Sequence, residues 1–281
     1  MLFHERMLSA DSTLSCASCH VEHFAFAEPF TVSHGIGLKA RRRNTPSVLN
    51  SAYQSLLGWG GDWTTLEAQA QSTFVVEGDM GLTVTEVMRR LRASTRYRAE
   101  FRRVFGRPPR DRDVWAAIAA YERRLAAKSR SRFDHFLVGG VTDSLTVAER
   151  RGWALFTSPR FGCAGCHEVV EPSAWNAGVA ALTDNRPHNL GVGYDMGVMA
   201  DPGRYEVTKD PEDWGAFITP SLRMVRHTAP YMHDGSLHTL DAVLEFYNRG
   251  GNKNPNLDVV MRPRTWTSDE RADLIAFLLA L

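Results

Sequence analysis

Four cysteines fall into two copies of one pattern, Cys16-Ala17-Ser18-Cys19-His20 and Cys163-Ala164-Gly165-Cys166-His167, and the chain has no others. In a Cys-x-x-Cys-His stretch the two thiols add across the vinyl groups of a haem, and the adjacent imidazole is held where it ligates the iron. Zinc would want ligands from both motifs or a separate Cys/His pair, and a redox dithiol would want a βαβ setting; neither is visible. Two covalently attached c-type haems are therefore expected, with His20 and His167 as iron ligands.

The repeat divides the chain into two halves of similar grammar, as expected for a pair of cytochrome c-like, mainly α-helical domains related by pseudo-symmetry. The second half shows the order best. Thr146-Val147-Ala148-Glu149 is a capping box that opens a helix through Trp153, Leu155 and Phe156, just before the haem motif. A second box, Thr267-Ser268-Asp269-Glu270, opens a closing helix with Leu274, Phe277, Leu278 and Leu281 on one face. In the first half the opening helix shrinks to residues 5–8. Apolar spacing then predicts one helix over 83–105, through Val87, Leu91, Phe101 and Val104, and another over 111–128, through Val114, Ile118, Tyr121 and Leu125.

Gly106-Arg107-Pro108-Pro109 separates those two helices, and Gly139-Gly140 marks the join between halves, giving expected domains of 1–140 and 141–281. Two long irregular stretches, 21–65 and 168–230, are rich in Gly, Pro, Asn and Asp. Loops of that length in a compact domain normally wrap something, and a haem supplies the missing core.

A chain of 281 residues with 43% hydrophobic content suits two domains of ordinary size. Thirty-three basic against thirty-two acidic residues, with no long block of one sign, point to neither a nucleic-acid groove nor a membrane surface. The longest apolar run, residues 276–281, is far short of the roughly 20 needed to span a bilayer. The N-terminal residues 1–6 lack the apolar core of an export signal and read as the edge of a folded domain.

Five stretches stand in order around the haem sites: residues 14–20, Arg43-Asn44-Thr45-Pro46, Leu66-Glu67-Ala68-Gln69-Ala70, Thr219-Pro220-Ser221-Leu222-Arg223, and Pro230-Tyr231-Met232-His233-Asp234-Gly235-Ser236. Together they resemble the diheme cytochrome c peroxidase/MauG superfamily over nearly the whole chain. The likeness is greatest to the MauG-type and methanobactin-associated diheme enzymes. The resemblance implies an oxidoreductase that reacts with hydrogen peroxide at the N-terminal haem and exchanges electrons through the C-terminal one. It also implies a periplasmic location, since bacterial haem attachment of this kind accompanies export.

The resemblance assigns roles to individual residues. Trp59, seven residues before Leu66, falls at the place of a tryptophan between the haems. Gln69 matches a distal glutamine, but ten residues on, where the family has a proton-moving glutamate, the chain has Asp79; Glu77 is the other candidate. A loop histidine that blocks the first iron in related peroxidases has Ile36 in its place, with His34 two residues away and His23 close to the motif. An open iron is expected. Asn44, Thr228 and Pro230 fall at ligand positions of a calcium ion between the domains.

The second haem's distal position is the most informative. Fourteen residues after His233, where peroxidases fed by small cytochromes have methionine and MauG-type enzymes tyrosine, stands Tyr247. A hard, anionic oxygen donor stabilises oxidised iron. The resemblance then implies a high-valent state shared by both haems and the oxidation of a side chain, such as Trp, in a periplasmic partner protein. The alternatives are a cytochrome c peroxidase taking electrons from a small redox protein, and a non-enzymatic diheme electron carrier. One position departs from MauG: its surface relay tryptophan is replaced by Phe161, leaving Trp153, Trp175 and Trp214 as substitutes.

Overall fold

The computed structural model describes residues 1–76, 78–125, 131–137, 140–169 and 181–281. Two apolar cores organise it. In the first, the turn-and-a-bit α1 (Cys16–Cys19) is followed by α2 (Leu66–Val75), α3 (Val84–Ala93), α4 (Thr95–Phe105) and α5 (Asp111–Glu122). Phe3, Leu8, Phe74, Val87, Leu91, Val114 and Ile118 interlock between them and are almost completely buried.

The expected helix over 83–105 is two helices. Ser94 ends α3 and, at φ −74° and ψ 119°, begins α4, its side chain accepting a hydrogen bond from the Tyr97 amide. A serine oxygen that satisfies an orphan helix-end donor competes well with continuing the helix. The break resets the helical phase, so Tyr97 and Phe101 are buried while Val104 faces solvent. Other expected bounds also shift. The opening segment forms two 3-10 turns, Leu2–His4 and Arg6–Leu8, and α5 ends at Glu122, capped by Arg123, before residue 125.

The second core is built by α6 (Arg132–Leu137), α7 (Val147–Thr157), α9 (Leu240–Asn248) and α10 (Ser268–Leu278), with the short α8 (Tyr205–Thr208) on a connecting loop. Both expected capping boxes form, Thr146 with Glu149 and Thr267 with Glu270. Leu274, Phe277, Leu278 and Leu281 are buried, as their spacing indicated. Helices α7 and α10 pack so closely at Gly152 that a Cβ there would lie 2.0 Å from the Asp273 carbonyl oxygen. Phe133 of α6 packs against Trp153 and Phe277, so this helix, just before Gly139-Gly140, belongs to the second core. Its neighbour Asp134 is fully buried in an ion pair with Arg223, whose Nη1 lies 2.7 Å away. Removing one partner of such a pair typically costs roughly 3–5 kcal/mol because the other charge is left unpaired.

Sheet structure is minimal. Strand β1 (Pro187–His188) pairs antiparallel with β4 (Phe217–Ile218), and β2 (Tyr194–Asp195) with β3 (Val198–Met199). The long loops carry the join between halves. Arg43 makes a two-pronged ion pair with Asp201, its Nε and Nη2 at 2.7 and 2.9 Å, and the Ile218 amide donates to the Trp59 carbonyl at 2.9 Å. Among the described residues no helix is long and apolar enough to cross a membrane.

Candidate active site

The two haem motifs are built alike. Residues 16–19 form one helical turn capped reciprocally by Ser15 and Ser18, and 163–165 form a 3-10 turn. The histidine that follows each turn is anchored at Nδ1: His20 to the Phe26 carbonyl at 3.0 Å, His167 to the Leu182 carbonyl at 3.1 Å. A carbonyl only accepts, so Nδ1 carries the proton and Nε2 keeps a lone pair, the tautomer an axial ligand needs. Burial holds both imidazoles neutral, lowering the His20 pKa and pressing His167 down to about 4. An aromatic ring flanks each, Phe3 at 6.3 Å from His20 and Phe156 at 6.5 Å from His167. All four cysteines are free of disulfides, and burial pushes the thiols of Cys16 to about 12 and of Cys19 and Cys163 to about 11.

Both motifs open on one connected cavity of about 600 Å³. Each end presents two thiols and a neutral imidazole, the donor set of a c-type haem, so the residues fit two such groups.

At the His20 end the wall includes Gln69 and Asp79. Gln69, on α2, donates from Nε2 to the Thr73 hydroxyl at 3.1 Å. Asp79 sits in a turn after Gly78 (φ +91°), with its Oδ1 2.8 Å from Arg41 Nε. Burial raises its pKa above the ordinary aspartate range and Arg41 opposes that rise. Glu77 lies outside the described residues. Ser33 and Gly35 line the cavity, whereas the His34 ring packs edge-on against Phe30 at 5.7 Å and the His23 ring against Phe24 at 5.3 Å. Ile36 is not on the wall either; its amide bonds the Asp79 carbonyl at 3.1 Å.

Trp59 lines the cavity where the halves meet. Its indole N–H donates to the Asn44 carbonyl at 2.8 Å, and its ring lies 6.4 Å from His233, which stacks on Phe217 at 3.6 Å. Asn44, Thr228 and Pro230 line the same cavity. The Asn44 Nδ2 donates to the Phe30 carbonyl at 2.8 Å, which leaves its Oδ1 as the amide's acceptor. Among the described residues, the His, Cys, Asp and Glu side chains at metal-binding spacing are Cys166, Asp184 and His188. His188 already bridges Asp184 (2.9 Å) and Asp258 (2.5 Å), and Cys166 is the second thiol of a haem motif.

At the His167 end, Tyr247 projects from α9 into the cavity. Burial beside Cys166 and Cys163 pushes its phenol pKa well up, and its hydroxyl has no hydrogen bond among the described residues. Phe161 is buried under Arg160, 4.6 Å from the guanidinium. Of the substitutes for a relay at that place, Trp153 packs in the second core, Trp214 packs against Tyr194, and Trp175 lies outside the described residues. Two residues on the wall carried no signal in the sequence. Trp266, half-buried, packs against Phe161 at 5.5 Å, and Glu122, buried beside Cys16, has its carboxyl pushed up to about 7 by desolvation. Trp266 stands one residue before a capping box, and Glu122 on the inner side of an amphipathic helix; neither place is distinctive without the fold.

The fold and the cavity define a helical protein with two c-type haem cradles joined across one interior. A sequence model of the di-haem cytochrome c peroxidase family matches residues 1–142. The chain is 36% identical over 284 residues to the methylamine utilization protein MauG of Methylorubrum extorquens, covering all of this chain and 76% of that one. It is also 36% identical over 311 residues to the cytochrome-c peroxidase IdrP1 of Denitromonas iodatirespirans, covering all of this chain and 79% of the relative. Among solved structures, a MauG-like protein associated with microbial copper homeostasis superposes with a TM-score of 0.88 at 34% identity, over the whole of this chain and 87% of that one. The chain belongs to the di-haem cytochrome c peroxidase/MauG family. It is a peroxide-dependent oxidoreductase with two haem c groups.

Proposed function

We propose that the protein uses hydrogen peroxide to oxidise a side chain of a periplasmic partner protein. The observation that carries this reading is Tyr247 at the His167 end of the cavity, where a phenol oxygen stands without a hydrogen-bonding partner among the described residues. Each peroxide takes two electrons and two protons to become two waters, and the partner's side chain supplies both electrons. Bound haem supplies the redox-active iron at which peroxide is consumed and a second carrier for the electrons. The protein's residues set the rest. His20 and His167 would hold iron from Nε2, and Tyr247 would supply an oxygen ligand to the second iron, its anionic form stabilised by the metal against the burial that otherwise keeps it protonated. Asp79 accepts a proton from the incoming peroxide oxygen and returns it to the leaving one, while Gln69 orients the peroxide.

Trp59 bridges the two ends, and Trp266, which reaches from the cavity wall to the surface beside Phe161, is the indole placed to exchange electrons with a docked protein. Calcium is proposed between the halves, held by the Asn44 side-chain oxygen and the Thr228 and Pro230 carbonyls with water completing its shell. A chelator should then perturb the spectra of both haems together, and unaltered spectra would remove the ion from the reading. The function is tested by treating the holoprotein with peroxide beside the product of its neighbouring gene and measuring that protein's intact mass. A mass shift that fades in Trp266→Phe is expected, with peroxide consumption in the absence of the partner unchanged. No shift, together with rapid oxidation of a reduced small cytochrome, would make the protein a cytochrome c peroxidase instead. A non-enzymatic carrier has no use for Asp79 or Gln69.

A further inference from the structure

We infer that Arg41 is a positioning residue of the peroxide-reacting pocket, fixing the Asp79 carboxylate in place and in its ionised form. The inference deepens the proposed function and rests on its assignment of proton transfer to Asp79.

Arg41 closes a small hairpin over the His20 end of the cavity. Its amide donates to the Ser33 carbonyl at 2.7 Å, the Gly35 amide donates to the Lys39 carbonyl at 3.0 Å, and His34 pairs with Ala40. This is the loop on which an iron-blocking histidine would be sought, and at Arg41 it brings a guanidinium to the cavity wall. The hairpin and the Asp79 turn are locked together. A Cβ at Gly35 would lie 1.4 Å from the Gly78 carbonyl oxygen, and one at Gly78 would lie 2.6 Å from Arg41 Nη1. With both positions lacking side chains, the guanidinium lies across Gly78 and meets Asp79 from Nε at 2.8 Å.

Its neighbours are committed elsewhere. Arg42 pairs with Asp201 and Glu206, and Arg43 with Asp201 in the second half, so of three consecutive arginines Arg41 alone turns toward Asp79. Among the described residues, the charged or titratable groups that act on Asp79 are Arg41 and the Cys19 thiol, and thioether formation removes the thiol as a titrating group. A short aspartate needs such a partner more than a glutamate would, because it has one fewer torsion with which to reach the substrate. The cation also opposes the rise in the carboxyl's pKa that desolvation causes.

Three holoprotein variants test this: Arg41→Leu, Arg41→Lys and Asp79→Asn. The protonated-carboxyl infrared band that vanishes in Asp79→Asn should titrate at least about one pH unit higher in Arg41→Leu, the scale of an adjacent opposite charge. The acid limb of the peroxide rate profile should move up with it, and Arg41→Lys should restore most of both shifts. A band and an acid limb that stay in place in Arg41→Leu would overturn the inference. A band that moves while the limb does not would uphold Arg41 as the partner of Asp79 and overturn Asp79 as the proton carrier.

Discussion

Replacing Asp79 by alanine is expected to slow the reaction with hydrogen peroxide by about two to four orders of magnitude, the usual contribution of a positioned proton-transfer group. Peroxide must lose a proton from the oxygen that attacks and gain one at the oxygen that leaves, so one group that does both shortens the path. Asp79 stands on the cavity wall with Gln69, in a turn fixed by the Ile36 amide on its carbonyl and by Arg41 on its side chain. Burial raises its pKa, which brings its basicity nearer to that needed at working pH. It acts as a base only when ionised. Because the pKa is raised, activity should fall on acidification at a pH above the ordinary aspartate range, and that limb should vanish in Asp79→Asn. Both haem spectra should be unchanged in the variants, since Asp79 is not an iron ligand in this reading. Stopped-flow spectra after mixing with peroxide give the rates, and undiminished reactivity in Asp79→Ala would move the role to Glu77.

The parts of this site that could be read from the sequence are those whose chemistry is local. Cys16, Cys19 and His20, and their counterparts at 163, 166 and 167, are adjacent in the chain because both thiols and the imidazole must meet one ring. The boxes at Thr146 and Thr267 were legible for the same reason, a cap being a contact across three residues. Ser94 shows the limit of that reasoning. The apolar spacing on either side suggested one continuous helix, and only the hydrogen bond from the Tyr97 amide to the serine oxygen decides that there are two. Contacts between distant segments left no trace. Asp134 and Arg223 are 89 residues apart and fully buried together, Arg41 reaches Asp79 across a hairpin, and Trp266 meets Phe161 from a different loop. Each is an ordinary residue in an ordinary stretch until the fold sets its partner beside it.

Tyr247→Phe is expected to change the ligation of the second haem outright, because it deletes one oxygen and little else. Tyr247 lines the cavity beside Leu190, Met261 and Arg264, and its hydroxyl finds no donor or acceptor among the described residues. Burial alone keeps the phenol protonated far beyond neutral pH, so an anionic oxygen there requires a cation, and ferric iron is the one a haem on His167 would bring. The wild-type ferric protein should accordingly lack the thioether-to-iron charge-transfer absorption of a His/Met haem. Tyr247→Met should raise the second haem's potential by a sizeable part of the about 0.8 V over which axial ligands set haem potentials, since thioether sulfur favours reduced iron and phenolate oxygen oxidised iron. The two enzymatic readings then separate. In Tyr247→Met, oxidation of the partner protein should fall and reduction by a small cytochrome should become easier, as measured by the partner's mass shift and by the rate of cytochrome oxidation. A Phe variant with the spectrum and potential of the wild type would show the phenol to be packing alone, and the preference for a protein side chain over a small cytochrome as the source of electrons would lose its support.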